Sequence, residues 1–319
     1  VITMLLRLGA MLSMVLVCMS GATAWAQSGR IVLEWDRWMA AQGVTSGALV
    51  FQIENSELLA QDSGASVDAA LPLASNSKAI TAQCVAALVE AGELAWTDPL
   101  SRWFGKAGGA VTVAQLITHT SGYWPDKTQS RMARWRNDPT NRWAEVTQTA
   151  QNRLWQRGIV GDYRYNNENY AVLGTLIERI TGKDYAAACQ ALVLVPLGIT
   201  TARLSEDFGG YGPWGGWEMS VRDYALLMTA VYSAAEPLTT PHVSLGGGSY
   251  YGLGMLFRVS QHSVSHWHFG RLCFRDGGIG AYAVNWAGRY TVVAAYDACL
   301  SDEAMVALDQ AMIKAVFSD

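Results

Sequence analysis

Strand-like alternation is confined to the two ends of this 319-residue chain, with a long stretch of helical periodicity between them. Near the start, residues 30–41 place Ile31, Trp35, Trp38 and Met39 on one side of a helix, and two strand runs follow at 47–53 and 58–62. Helical patterns then fill 75–91, 113–119, 141–156, 169–181, 184–194 and 221–232. Beyond the glycines at 246–248, strand runs return at 252–259, 265–274, 281–286 and 290–296, before a closing helix at 302–317. An isolated pair of short strands is marginal in water, so the strands of the two ends are expected to share one sheet. The order therefore predicts an α+β fold: an antiparallel sheet with N- and C-terminal helices, built from 30–70 and 245–319, packed against an all-α lobe of 75–240. The seam between two such lobes is the expected place for a small-molecule site.

Composition narrows the class further. With 50% hydrophobic and 16% charged residues, a net charge of -4 and no run of like charge, the chain is neither a disordered tail nor a nucleic-acid binder. Arg7, the apolar stretch over 8–19 and the small residues of Ala24-Trp25-Ala26 read as a secretory signal over 1–26, leaving residues 27–319 in the periplasm or outside the cell. The apolar run is well below the roughly 20 residues that span a bilayer, so no membrane span is expected after cleavage. Export would put Cys84, Cys189, Cys273 and Cys299 in an oxidising compartment. Cys84 and Cys189 fall within helical patterns and are expected to be free core thiols, whereas Cys273 and Cys299 end strand runs and are the expected disulfide.

The chemistry concentrates at Ser75-Asn76-Ser77-Lys78. One helical turn sets Ser75 and Lys78 on the same face, where a lysine deprived of water can take the hydroxyl proton and the positive end of a helix favours the developing anion. Taken alone, the tetrapeptide reads rather as a serine N-cap followed by a solvated lysine. Its surroundings resemble the penicillin-recognising serine hydrolases: β-lactamases, D-alanyl-D-alanine carboxypeptidases and related esterases, in the class C-like branch. Ser75-x-x-Lys78 matches their first motif, 112–122 (Thr-Val-Ala-Gln-Leu-Ile-Thr-His-Thr-Ser-Gly) resembles the segment that follows it, and Tyr165-Asn166-Asn167 at the start of a helix is similar to the second motif. Val195-Pro196-Leu197-Gly198 and Tyr251-Gly252-Leu253-Gly254 extend the likeness over roughly 32–300. The resemblance implies a β-lactamase/transpeptidase-like fold, Ser75 as acylated nucleophile, Lys78 as its base or relay, Tyr165 as a proton shuttle and Asn167 as a contact to the substrate side chain.

The third motif departs from the family pattern, which has Lys or His, then Thr or Ser, then Gly. His268-Phe269-Gly270 is the favoured match, with Arg275-Asp276-Gly277 as the alternative. In the favoured reading Gly270 lets substrate approach the strand, and the Arg271 N–H joins that of Ser75 as an oxyanion hole, while Arg271 or Arg275 could replace the lost lysine in carboxylate recognition. His266 and His268 share a strand face near His262 without acidic or cysteine ligands at metal spacing, so no metal or other cofactor is expected. No Gly-x-Ser-x-Gly elbow accompanies His119, which reads as structural, and the Glu-x-x-Leu-Asn motif of class A enzymes is missing. Trp124 and Trp214 or Trp217 are expected near the cleft. The expected protein is an exported acyl-enzyme hydrolase of small or peptidoglycan-type amides or esters, of esterase or D-amino-acid peptidase type; a true class C-like β-lactamase and a non-catalytic penicillin-binding relative are the alternatives.

Overall fold

The computed structural model describes residues 26–318 except for 55, 153–157, 234–236 and 262, so the leader read over 1–26, apart from Ala26, and His262 lie outside the described residues. Helix α1 (residues 26–42) precedes β1 (Gly47–Gln52), β2 (Leu59–Ser63) and β3 (Leu71–Pro72). The middle of the chain holds α2 (Ser77–Glu90), α3 (Ser101–Phe104), α4 (Val113–Ile117), α5 (Gln129–Trp135), α6 (Trp143–Gln151), α7 (Asn167–Thr181) and α8 (Tyr185–Cys189). There follow β4 (Arg203–Leu204), α9 (Gly212–Gly215), β5 (Trp217–Met219) and α10 (Val221–Val231). The chain ends with β6 (Val243–Gly246), β7 (Ser249–Gly252), β8 (Met255–Val259), β9 (Val264–Phe274), β10 (Gly277–Trp286), β11 (Tyr290–Tyr296) and α11 (Asp302–Phe317).

The two ends do share one sheet. Its order is β2-β1-β11-β10-β9-β8-β7-β6, antiparallel throughout, and the ends join where Gly47 faces Tyr296 and Gln52 faces Thr291. The central strands are apolar at nearly every position because both faces are covered. Leu49 and Phe51 of β1, with Val292 and Ala294 of β11, pack beneath Trp35 and Trp38 of α1 and Leu308 and Met312 of α11. Their alternates Ala48, Val50, Val293 and Ala295 face α2, α10 and the helical lobe. This is the α+β architecture expected from the periodicity.

The differences lie in short elements. A three-stranded ribbon, β3-β5-β4, sits within the segment read as purely helical. Its strands have two or three residues, too few to display a period of two. The strand expected over 252–259 is a hairpin, β7 and β8, broken by Leu253 and Gly254 in left-handed conformation, and the glycines at 246–248 turn β6 into β7. Helix α5 has no counterpart in the sequence reading. Helix α4 begins at Thr112, whose hydroxyl accepts from the Gln115 N–H while the Gln115 side chain accepts from the Thr112 N–H, a reciprocal cap.

Candidate active site

Ser75 lies in a 3-10 turn, Ala74–Asn76, that runs into α2 at Ser77. Its side chain caps no helix, so the N-cap alternative does not describe it. Ala74 has φ 47°, a left-handed conformation unusual for a residue with a Cβ, and such strain is held only where the surroundings over-determine it. Here β9 does so. A Cβ on Gly270 would come within 2.5 Å of the Leu73 carbonyl and 3.1 Å of the Ser75 nitrogen, so only glycine lets the strand lie against the turn. His268-Phe269-Gly270 is thus the segment beside Ser75, and Arg275-Asp276-Gly277 lies at the β9–β10 turn with Asp276 paired to Arg136.

One turn into α2, Lys78 is fully buried. Its Nζ donates to the Trp214 carbonyl at 2.8 Å and to Ser75 Oγ at 3.3 Å. The amine is aimed by a set of bonds between α2 and the α9 segment: Thr81 donates to the Pro213 carbonyl, and Ser77 Oγ accepts from the Trp217 N–H. Gly174 of α7 makes room for this, since a Cβ there would strike Pro213 at 2.2 Å. Loss of water lowers the Lys78 pKa to about 7, against a weaker opposing pull from Asp126. A substantial neutral fraction therefore exists at neutral pH.

Tyr165 stands across from Lys78, whose Nζ is 4.8 Å from the phenol ring centroid. Burial raises the Tyr165 pKa well above the ordinary range, with a smaller opposing influence from Ser75. Its hydroxyl approaches Ser75 without reaching hydrogen-bond geometry and has no partner among the described residues. Beneath it, His119 accepts from the Asn166 N–H at Nδ1 and pairs through Nε2 with the Tyr251 hydroxyl at 3.2 Å. His119 stacks on Tyr165 with centroids 4.5 Å apart, and burial holds it neutral, a structural imidazole rather than a base.

Period two on β9 sends His266, His268, Gly270 and Leu272 to the buried, helical-lobe face. The Phe269 ring lies on the other face, stacked on Tyr282 at 5.2 Å, so nothing polar from that position meets the site. His268 is 5% exposed, and burial followed by repulsion from Lys78 lowers its pKa to about 3. His266 turns away to Tyr232 and Phe257. The Arg271 guanidinium reaches outward to the Leu300 carbonyl and Asp302, both at 2.8 Å, and so holds the start of α11 against the cleft edge.

Ser75, Gln129 and Arg271 line both halves of the cleft. One half, about 500 Å³, is walled by Met132, Asn167, Trp214, Phe274 and the Cys273–Cys299 bridge. The other is aromatic, with Tyr163, Tyr165, Tyr251 and His268 facing Met305 and Val306 of α11. Of the seven residues singled out from the sequence, Ser75, Tyr165, Asn167, His268 and Arg271 line this cleft, and Lys78 and Gly270 lie behind it against Ser75. Of the tryptophans, Trp214 lines it, but Trp217 is sealed in the core against the Tyr185 hydroxyl and Trp124 packs under Arg164. The sequence reading missed Asp126, Thr128 and Met132, which support Asn167, and the first turn of α11. An Asp-x-Thr turn signal at 126–128 was the available clue. The disulfide is the expected one, with Cys84 and Cys189 free and buried.

Residues 35–299 match the family model described as Beta-lactamase. Penicillin-binding protein 4* of Bacillus subtilis is 31% identical over 139 residues, which cover 41% of this chain and 30% of that protein. Esterase EstB of Burkholderia gladioli is 33% identical over 166 residues, covering 41% of this chain and 38% of its own length. The chain thus spans well under half of the curated relatives it matches. Among solved structures, D-amino acid amidase from Ochrobactrum anthropi SV3 with D-phenylalanine superposes with a TM-score of 0.75 at 17% identity, over 92% of this chain and 99% of that one. That likeness is one of fold.

Proposed function

The chain belongs to the Beta-lactamase family, and from that membership and the cleft we propose that it is an exported serine hydrolase cleaving amides or esters through an acyl-enzyme on Ser75. The observation that carries the reading is the buried Lys78 amine, 3.3 Å from Ser75 Oγ, with a pKa lowered to about 7. Neutral Lys78 takes the Ser75 proton as Oγ attacks the substrate carbonyl. The N–H groups of Ser75 and Arg271 hold the oxyanion. Tyr165 passes a proton to the leaving group and, with Lys78, activates the water that releases the acyl group. Gly270 makes room for the Leu73–Ser75 turn against β9 rather than for substrate, contrary to the expectation from the sequence, and His268 supplies a neutral wall to the half-cleft that receives the leaving group. A periplasmic or secreted location follows from the leader read over 1–26.

Among the described residues on β9 that line the cleft, His268 is neutral and the Arg271 guanidinium is already engaged by the Leu300 carbonyl and Asp302. This favours esterase or amidase chemistry over β-lactam or carboxypeptidase chemistry. A panel of p-nitrophenyl esters, amino-acid p-nitroanilides and nitrocefin on purified protein tests it. Turnover of esters or anilides above that of nitrocefin is expected; turnover of nitrocefin alone would contradict the preference, and inertness toward all three would contradict the hydrolase reading.

A further inference from the structure

One residue grips Tyr165 from three directions. The His119 carbonyl accepts from the Arg164 N–H at 2.9 Å, and His119 Nδ1 accepts from the Asn166 N–H at 3.2 Å, so the peptide groups on either side of Tyr165 both end on His119. The imidazole also lies against the Tyr165 ring, with centroids 4.5 Å apart. His119 makes these contacts at φ 57°, a conformation that a residue with a Cβ holds only where its surroundings impose it. Proton counting fixes how the imidazole itself is held. A backbone N–H can only donate, so Nδ1 carries the lone pair and Nε2 the hydrogen. The Asn169 amide nitrogen, 3.1 Å from Nδ1, is a second donor to the same atom, while Ser121 Oγ donates to the other end of that amide. Nε2–H therefore donates to the Tyr251 hydroxyl at 3.2 Å. Tyr170 spends its hydrogen on the Ile117 carbonyl at 3.2 Å, which leaves its oxygen to accept from Tyr251 at 3.5 Å. Every hydrogen along His119, Tyr251 and Tyr170 thus has one direction, and the imidazole at its head is 1% exposed.

Two features of the site make this grip matter. The Tyr165 hydroxyl has no partner among the described residues, so no bond at its tip holds the phenol in place. Its ring is also the face presented to Lys78 Nζ, 4.8 Å from the centroid. A displacement of about 1 Å in a reacting group can cost on the order of 10²-fold in rate, so the phenol must be aimed from behind. We propose that His119 is the positioning residue for Tyr165, an imidazole anchored on Tyr251 that sets the phenol against Ser75 and Lys78 for proton transfer to the leaving group. The proposal rests on the acyl-enzyme reading of Ser75 and on Tyr165 as the group that serves the leaving group. Because Tyr251 belongs to β7 and His119 follows α4, their bond ties the sheet to the helical lobe at the place where that proton moves.

Two esters of one acyl group test this, ethyl butanoate and p-nitrophenyl butanoate, because ethoxide must take a proton to leave and p-nitrophenolate need not. His119→Asn keeps an acceptor for the Asn166 N–H and suits the left-handed backbone, but removes the ring and its bond to Tyr251. It is expected to lose about 10- to 100-fold in kcat/KM on the ethyl ester and less than about threefold on the p-nitrophenyl ester. In Tyr165→Phe, which has already lost the phenol proton, adding His119→Asn is expected to change neither value by more than about twofold. Should His119→Asn fail to fold by circular dichroism, Tyr251→Phe, which removes only the hydroxyl that receives Nε2–H, is expected to show the same leaving-group bias at about 3- to 10-fold. Equal losses on the two esters, or losses that multiply in the double variant, would make His119 a general support of the site and overturn the proposal, as would wild-type kcat/KM on ethyl butanoate. Failure of the underlying reading looks different and takes the proposal with it: Tyr165→Phe would then hydrolyse ethyl butanoate as fast as the wild type, or the wild type would hydrolyse neither ester.

Discussion

Replacing Lys78 with methionine separates what the lysine does for chemistry from what it costs the fold. In the unfolded chain a lysine titrates near 10.4, and here burial brings it to about 7. Between those values the unfolded state binds more protons, so the stability of the wild type rises with pH through this window and the full penalty is present below about 7. At pH 7 the penalty amounts to about 4 kcal/mol, and at pH 10 to under about 1 kcal/mol. Methionine fills similar volume without charge but gives up the bonds to Trp214 and Ser75, a loss of roughly 2–3 kcal/mol including the orphaned carbonyl. Lys78→Met is thus expected to be about 1–2 kcal/mol more stable than wild type at pH 7 and about 2 kcal/mol less stable at pH 10. His119 and His268 are held neutral and Tyr165 and Tyr170 protonated in the fold, so the change in the difference reports Lys78. Urea unfolding of both proteins at the two pH values measures it, and a difference that does not vary with pH would refute the reasoning.

The remaining expectations are simpler. Tyr165→Phe should lose about 10² to 10⁴ in kcat with its fold intact, checked by steady-state kinetics and circular dichroism. Gly270→Ala should lose more than about tenfold in activity, since the new Cβ meets backbone atoms of Leu73 and Ser75; wild-type turnover would show that β9 can retreat. Protein beginning at residue 27 should show two reactive thiols under denaturing, non-reducing conditions, at Cys84 and Cys189, and reduction of the bridge across 26 residues should cost roughly 3–4 kcal/mol of stability.

Long elements were legible because their patterns are carried by many residues. Helix α11 and strand β11 have the bounds read from periodicity, and pairing of the two chain ends followed from where alternation occurs. The grouping of Ser75, Lys78 and Tyr165 into one candidate site was legible because adjacent residues on one turn or motif carry chemical types that mean little apart. The β3-β5-β4 ribbon was not, being held by partners up to about 150 residues away rather than by its own sequence. Nor was the support of Asn167. Asp126 and Thr128 act through hydrogen bonds that cross from the loop before α5 to the start of α7, and nothing local marks a residue for such a role. The choice between Trp214 and Trp217 stayed open in the sequence, because an aromatic beside glycines reads alike whether it lines a cleft, as Trp214 does, or fills a core, as Trp217 does.

The central claim is that Ser75 is acylated with Lys78 as its base. Incubating wild type, Lys78→Met and Ser75→Ala with a fluorophosphonate at pH 8, and locating the adduct by intact-protein and peptide mass spectrometry, tests it directly. A single adduct on Ser75 that forms readily in wild type, at least about 100-fold more slowly in Lys78→Met, and not at all in Ser75→Ala is the predicted result. An adduct on another residue, or one that persists in Ser75→Ala, would contradict the account.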